Sequence, residues 1–335
     1  MTDAPLAALL DGPRGRRLCL SLVAAGDDSL WALAYHAAQS PSELPALVDG
    51  IATAPVSLDP VALLDALEDA VSSAMYWQPP DETDTMLLHA ALRAALEPVA
   101  QRIVGSAAAA WWSTPVAVGD QRHVRWTGES SIPPLTLGDT AQRLAVWKAN
   151  ARADEARAAS RAPAASANFG GEWWSIPAFA SLATTTRGLP GLGAAKLRLV
   201  EDSLGWGEAD VTPLRPLATS RTFEITGPAA WADLVGRYPL DVTLSRRHDW
   251  WRVTGHDGRW LIPDWQAVAS DFDGVHLTVA GYLATAGRAL PVGDAATVLA
   301  GWDPDETYWL GDVLEPAGEP VQWRRDVSVN GPWSA

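Results

Sequence analysis

The residues of this chain best placed to do chemistry are charged side chains standing where an alternating strand pattern expects apolar ones. In Arg221-Thr222-Phe223-Glu224-Ile225, Arg221 shares a face with Phe223 and Ile225. If that face is half-buried, the guanidinium points inward and needs an anion, from a carboxylate or from a ligand phosphate. The acids on offer are Asp303, Asp305 and Glu306, which lead into a strand at Thr307, and the pair Glu201-Asp202. Two plainer readings stay open: a structural ion pair, or an Arg221 that lies just before the strand and is exposed. Arg247, in the run Arg246-Arg247-His248-Asp249, reads as part of a solvated turn or as a grip for phosphate. His276 alternates with Val275 and Leu277 and is a satisfied surface or cleft histidine or, alternatively, a catalytic one.

Tryptophan is the second feature. The chain has 18, with doublets at Trp111-Trp112, Trp173-Trp174 and Trp250-Trp251. In a strand, adjacent side chains point to opposite faces, so one member of each doublet is expected near the surface or in a cleft. Exposed aromatics of this size stack on planar ligands or anchor protein interfaces. The alternative is that they fill the core.

Composition narrows the partners. With 40 acidic against 25 basic residues the formal charge is -15, which repels phosphate backbones and argues against general nucleic-acid or membrane-surface binding. The single cysteine, Cys19, excludes an internal disulfide and a thiolate metal cluster within one chain. No apolar stretch reaches the ~18 to 20 residues of a membrane span, and the N-terminus lacks a signal-peptide pattern; both place the chain in the cytoplasm as an expectation. The six histidines show no metal-binding spacing, so no metal is expected. The glycine-rich stretch Gly188-Leu-Pro-Gly191-Leu-Gly193 lacks the ending of a phosphate-binding loop and reads as an ordinary loop.

The elements that must position these residues divide at a small, polar segment. Asp59-Pro60 caps a helix carrying Leu64, Leu67 and Val71; Asp84 to Val104 is a second helical run that Pro98 should kink or divide; Gly138-Asp139-Thr140 opens a third. Residues 158–171 have linker composition. This predicts a mainly helical domain over 1–157, a linker or surface loop, and a tryptophan-rich domain over 172–335. In the latter, Lys196–Val200, Asp210–Leu214, Arg221–Ile225, Val275–Val279 and a final Thr307–Leu310 read as strands. Gly227-Pro228 starts a short helix with Trp231 on its apolar stripe, and Asp264 caps another. Trp250–Val253 and Arg259–Ile262 flank Asp257-Gly258 as a hairpin. The fold class is α+β, a helical N-terminal region followed by a mixed, mainly antiparallel β domain with short helices.

Several strings, among them GPRGRRLCL (12–20), YWQPPDETD (76–84), EWWSIP (172–177) and AGWDPDETYWL (300–310), resemble segments of an uncharacterised actinobacterial protein family. The C-terminal succession of Arg221 strand, Trp231 helix, PDWQAVASDFDGVHLTV (263–279) and an acid-led strand is similar to ADP-ribosyltransferase-like domains. That resemblance implies NAD as a substrate, gripped by Arg221, flanked by aromatics such as Trp231, Trp250 and Trp251, and served by Asp305 or Glu306 as the acid. The middle Ser-Thr-Ser or tyrosine element of those domains has no counterpart here. The expectation is therefore a tryptophan-lined small-molecule cleft, NAD-using in one version, with a non-catalytic ligand-binding or protein-interaction module as the alternative.

Overall fold

A computed structural model describes residues 8–127, 134–177, 181–203, 205–327 and 331–335. Helices come first, among them α1 (Pro13–Ala24), α2 (Asp28–Gln39), α3 (Leu44–Thr53), α4 (Pro60–Ser72), α5 (Glu82–Leu87) and α6 (Ala90–Val104). Leu18, Cys19, Leu20, Leu22 and Val23 are all buried, and so is Arg14, paired with Asp84, so α1 is buried nearly all round and forms the centre against which α4 and α6 pack. Asp59 caps α4, its carboxylate accepting from the Val61 and Ala62 amides. The run from Asp84 is divided at Leu88-His89, not at Pro98. Pro98 lies inside α6, where the burial of Leu92, Leu96, Val99 and Ile103 outweighs the one missing hydrogen bond. No helix among the described residues is long and apolar enough to cross a membrane.

Thirteen strands and five more helices follow: β1 (Gln121–Trp126), α7 (Thr140–Ala158), β2 (Thr184–Leu189), β3 (Gly193–Ala194), β4 (Glu208–Pro216), β5 (Thr222–Ile225), α8 (Pro228–Arg237), β6 (Pro239–Asp241), α9 (Thr243–Thr254), β7 (Leu261–Pro263), α10 (Trp265–Val268), β8 (Gly274–Leu277), α11 (Val279–Thr285), β9 (Leu290–Val292), β10 (Ala295–Thr297), β11 (Thr307–Trp309), β12 (Leu314–Pro316) and β13 (Val321–Arg324). The main sheet runs β12-β4-β1-β2-β11-β8-β5, with β13 also on β4 and β3 also on β2. Every pairing in it is antiparallel except β5 with β8, so the sheet is mixed and the fold is α+β. The main core cluster contains residues from Leu9 to Leu310, and a second, smaller one gathers Val124, Trp126, Leu197, Val211 and Trp333.

Four local expectations are corrected. Lys196–Val200 is not a strand: a 3-10 turn over Ala195–Leu197 forms, with the Arg198 and Leu199 amides both donating to Ala195 O. Trp250–Val253 is the last part of α9, not a hairpin arm. Gly255 ends that helix at φ +70, its amide donating to Trp251 O at 2.7 Å, and this left-handed cap consumes the turn that Asp257-Gly258 suggested. Val279 starts α11 because the Thr278 hydroxyl caps the Gly281 amide. Thr307–Trp309 is a strand but not the final one, since β12 and β13 follow.

Candidate functional site

Between α7 and the sheet lies a cavity of about 390 Å³. The face of α7 over it carries Arg143, Val146, Trp147 and Asn150, which fall at helical spacing i, i+3, i+4 and i+7. Opposite stand His123 from β1, Thr184 from β2, Lys196 from the 3-10 turn, and Glu306 and Tyr308 from around β11. Trp126, Leu182 and Val124 complete a largely apolar wall.

Polar groups on the inner wall are closely held. Lys196 Nζ is 2.9 Å from Asp303 Oδ2 and also pairs with Glu306; the Lys196 and Glu306 side chains are 12% and 1% exposed. The Lys196 amide donates to Thr186 Oγ1 at 3.2 Å, and Trp302 Nε1 donates to Glu306 O at 3.0 Å, so both residues are fixed at the backbone. Burial disfavours the ammonium, but the two carboxylates outweigh it and hold Lys196 above its ordinary pKa. Burial raises the Glu306 carboxyl, and the charge of Lys196 opposes that rise. Behind them the Glu201 amide donates to Asp303 Oδ1 at 2.8 Å, and burial next to Asp303 pushes the Glu201 carboxyl well above its ordinary range.

His123 completes the polar end. Its Nδ1 lies 2.8 Å from Thr184 O, and a carbonyl only accepts, so Nδ1 carries the hydrogen and Nε2 keeps a bare lone pair. Burial pulls its pKa down to about 4, helped by the charges of Lys196 and Arg125, and the ring is neutral near pH 7. The inner end thus carries a fixed ammonium, a carboxylate and a neutral imidazole.

A second cluster lies in the sheet. His276 is 1% exposed, with Nδ1 2.5 Å from Glu224 Oε2 and Nε2 3.4 Å from Asp305 Oδ1. Asp305, at φ +64, also accepts from the Arg187 amide at 2.9 Å and from Arg187 Nε at 2.6 Å. Arg187 Nη1 reaches Thr114 Oγ1 at 2.8 Å, and Glu224 Oε1 accepts from the Val116 amide at 3.1 Å, so the cluster pins residues 114–116 to the sheet.

The structure brings some expected site residues together and separates others. His276 and Asp305 meet, but deep in the sheet and away from the α7 cavity; Glu306 lines that cavity. Arg221 is the exposed alternative: its side chain is 59% exposed one residue before β5, with Nε 3.6 Å from Asp273. It faces neither Asp305 nor Glu306, because the acids of that segment are taken by Arg187, His276 and Lys196. Trp231 and Trp250 are fully buried. Trp231 packs with Trp265 and Trp302, and Trp250 lies edge-on to Trp260 while its Nε1 donates to Trp173 O. These two fill core and line no cleft. Trp251 is half-buried on α9, where adjacent residues do not point to opposite faces. Arg247 donates to Arg161 O at 3.3 Å, while its neighbour Arg246 is the buried one, paired with Glu172. Only Trp77 among the 18 tryptophans is exposed, so the tryptophans form no exposed patch.

Lys196, His123 and Trp147 were not singled out by sequence. Lys196 carried one signal, a cation in the otherwise apolar stretch Leu192 to Leu197. His123 and Trp147 carried none beyond their types. No protein-family profile, no curated protein and no solved structure matches the chain.

Proposed function

We propose that this chain binds a small aromatic molecule in the α7 cavity, its body against Trp126, Trp147 and Tyr308 and its polar end at Lys196, Glu306 and His123. The observation that carries this reading is the buried Lys196–Glu306 pair on the inner wall of a cavity that also presents Trp126, Trp147, Leu182 and Tyr308. A cavity of about 390 Å³ is in the size range of small-ligand sites, and an apolar wall with a few convergent polar groups is their usual composition.

Binding without covalent chemistry suits these groups better than catalysis. A nucleophilic lysine needs a depressed pKa, and Lys196 has a raised one. A general base works best with a pKa near the working pH, and His123 sits near 4.

The test uses Val146, which is 51% exposed at the cavity mouth and can be enlarged without disturbing the core. Indole and phenol at millimolar concentration should raise the melting temperature of the wild type and give a saturable heat in calorimetric titration. Val146→Trp, with an unchanged melting temperature of its own, should lose both responses. Responses that persist in Val146→Trp, or none in the wild type, refute the reading.

A further inference from the structure

We infer that the ligand of the α7 cavity carries an anionic group, a carboxylate or a phosphate monoester, that is held by Arg143. This rests on the binding reading above and specifies the ligand's chemistry.

Arg143 lines the mouth of the cavity from the first turns of α7. Its Nη1 donates to Thr136 O at 3.0 Å and to Ser181 O at 3.4 Å. Those carbonyls orient the guanidinium but do not neutralise it, and among the described residues no carboxylate lies within ion-pair distance of it. Asp312, which lines a small neighbouring pocket together with Arg143, is engaged in capping α7 through the Thr140 amide and hydroxyl, and Asp139, one turn before Arg143, accepts the Arg143 amide through its carbonyl oxygen. Lys196 on the inner wall is different, because Asp303 and Glu306 compensate it. The charged residues lining the cavity are therefore two cations and one acid, in a chain whose net charge is -15. A half-buried, uncompensated guanidinium at the mouth is a binding group for a planar or tetrahedral oxyanion.

Spacing sets how the anion is attached. Arg143 and Trp147 are one helical turn apart, which puts their Cβ atoms roughly 5–6 Å from each other. A ring lying on Trp147 thus brings a substituent within reach of the guanidinium when only one to three bonds separate the anion from the ring. Asn150, one further turn along the same face, offers a neutral hydrogen-bond donor beside it. An arylacetate or an aryl phosphate fits this arrangement.

Calorimetric titration of matched probes tests the inference: indole against indole-3-acetate, and phenol against phenyl phosphate, on wild type, Arg143→Gln and Arg143→Lys. In the wild type at least one anionic probe should bind tenfold or more tightly than its neutral partner, with the advantage shrinking at high salt. The better of the two anions identifies carboxylate or phosphate as the preferred group. The advantage of the anionic probe over its neutral partner should fall below twofold in Arg143→Gln and be partly kept in Arg143→Lys. Equal binding of neutral and anionic probes in the wild type, or an advantage that survives in folded Arg143→Gln, overturns the anion inference and leaves the cavity reading standing. Should Arg143→Gln not fold, the wild-type probe comparison and its salt dependence decide alone. If none of the four probes binds, the cavity reading falls and takes this inference with it.

Discussion

Lys196 and Glu306, 110 residues apart in sequence, meet as a buried ion pair on the inner wall of the α7 cavity. The pair is completed by Asp303, so one ammonium serves two carboxylates that have little access to water.

Removing the cation should therefore cost more than a surface pair would. Lys196→Met strands both carboxylates, and breaking a buried pair from one side typically costs about 3–5 kcal/mol. Adding Glu306→Gln to Lys196→Met removes one stranded charge and should restore part of that loss. Urea unfolding of the two variants checks this; equal stabilities would mean that Glu306 is not the partner that matters.

The same pair should be visible to amine chemistry. The chain has two lysines, Lys148 and Lys196, and Lys148 Nζ pairs with Asp264 at 19% side-chain exposure against 12% for Lys196. Under mild acylation, Lys148 is expected to react before Lys196, read by peptide mass spectrometry, and a bound probe should slow Lys196 further. Faster reaction at Lys196 would contradict its place on the inner wall.

His276 and His123 should give opposite pH dependences. His276 is raised in the fold: burial lowers it, but Asp305 and Glu224 outweigh burial. Its contribution is fully present below the unfolded value of 6.5 and is lost as pH rises through the folded value. Relative to His276→Gln, wild-type stability should thus decline on going from pH 6 to alkaline pH, and a flat difference would argue against protonation of His276 in the fold.

His123 is depressed, from 6.5 to about 4, with burial as the main cause. Its contribution is present above pH 6.5 and is lost as pH falls to about 4, amounting to about 3 kcal/mol at most. Stability of wild type and His123→Asn measured between pH 7 and pH 4.5 should converge as the pH drops.

Arg221 should be nearly silent. Its exposed contact with Asp273 is worth about 0–1 kcal/mol, so Arg221→Ala should change stability little. Millimolar NAD, if it shifts the melting temperature at all, should shift wild type and Arg221→Ala alike. A shift confined to the wild type would return Arg221 to the site and revive the grip that the ADP-ribosyltransferase-like resemblance implies.

Much of the fold was legible because local chemistry and tertiary demand agree there. Asp59-Pro60 starts α4, Gly227-Pro228 starts α8, and the alternation at Val275 and Leu277 is a strand in a buried sheet. The failures are places where long-range partners decide. The buried residues of α9 include Arg246, His248 and Asp249, which look solvated in sequence and are satisfied by Glu172, Ala165 and Gly171 in space. Lys196 read as one residue of a strand because nothing local reveals that Asp303 and Glu306 lie beside it. Of the residues now placed at the cavity, Glu306 was the one anticipated, by its position before a strand and not by its partner.

The order of the sheet has a consequence for how the chain can be made. In the sheet order, β11 is the strand that joins the block β12-β4-β1-β2 to the block β8-β5. A growing chain that has not yet reached Thr307 can pair β1 with β2 and β4, and β5 with β8, but it holds two separate ribbons with open edges on β2 and β8. Residues 307–309 close that gap, so during synthesis the aggregation-prone edges persist until those residues have been made, and a chain cut before them would keep both edges exposed.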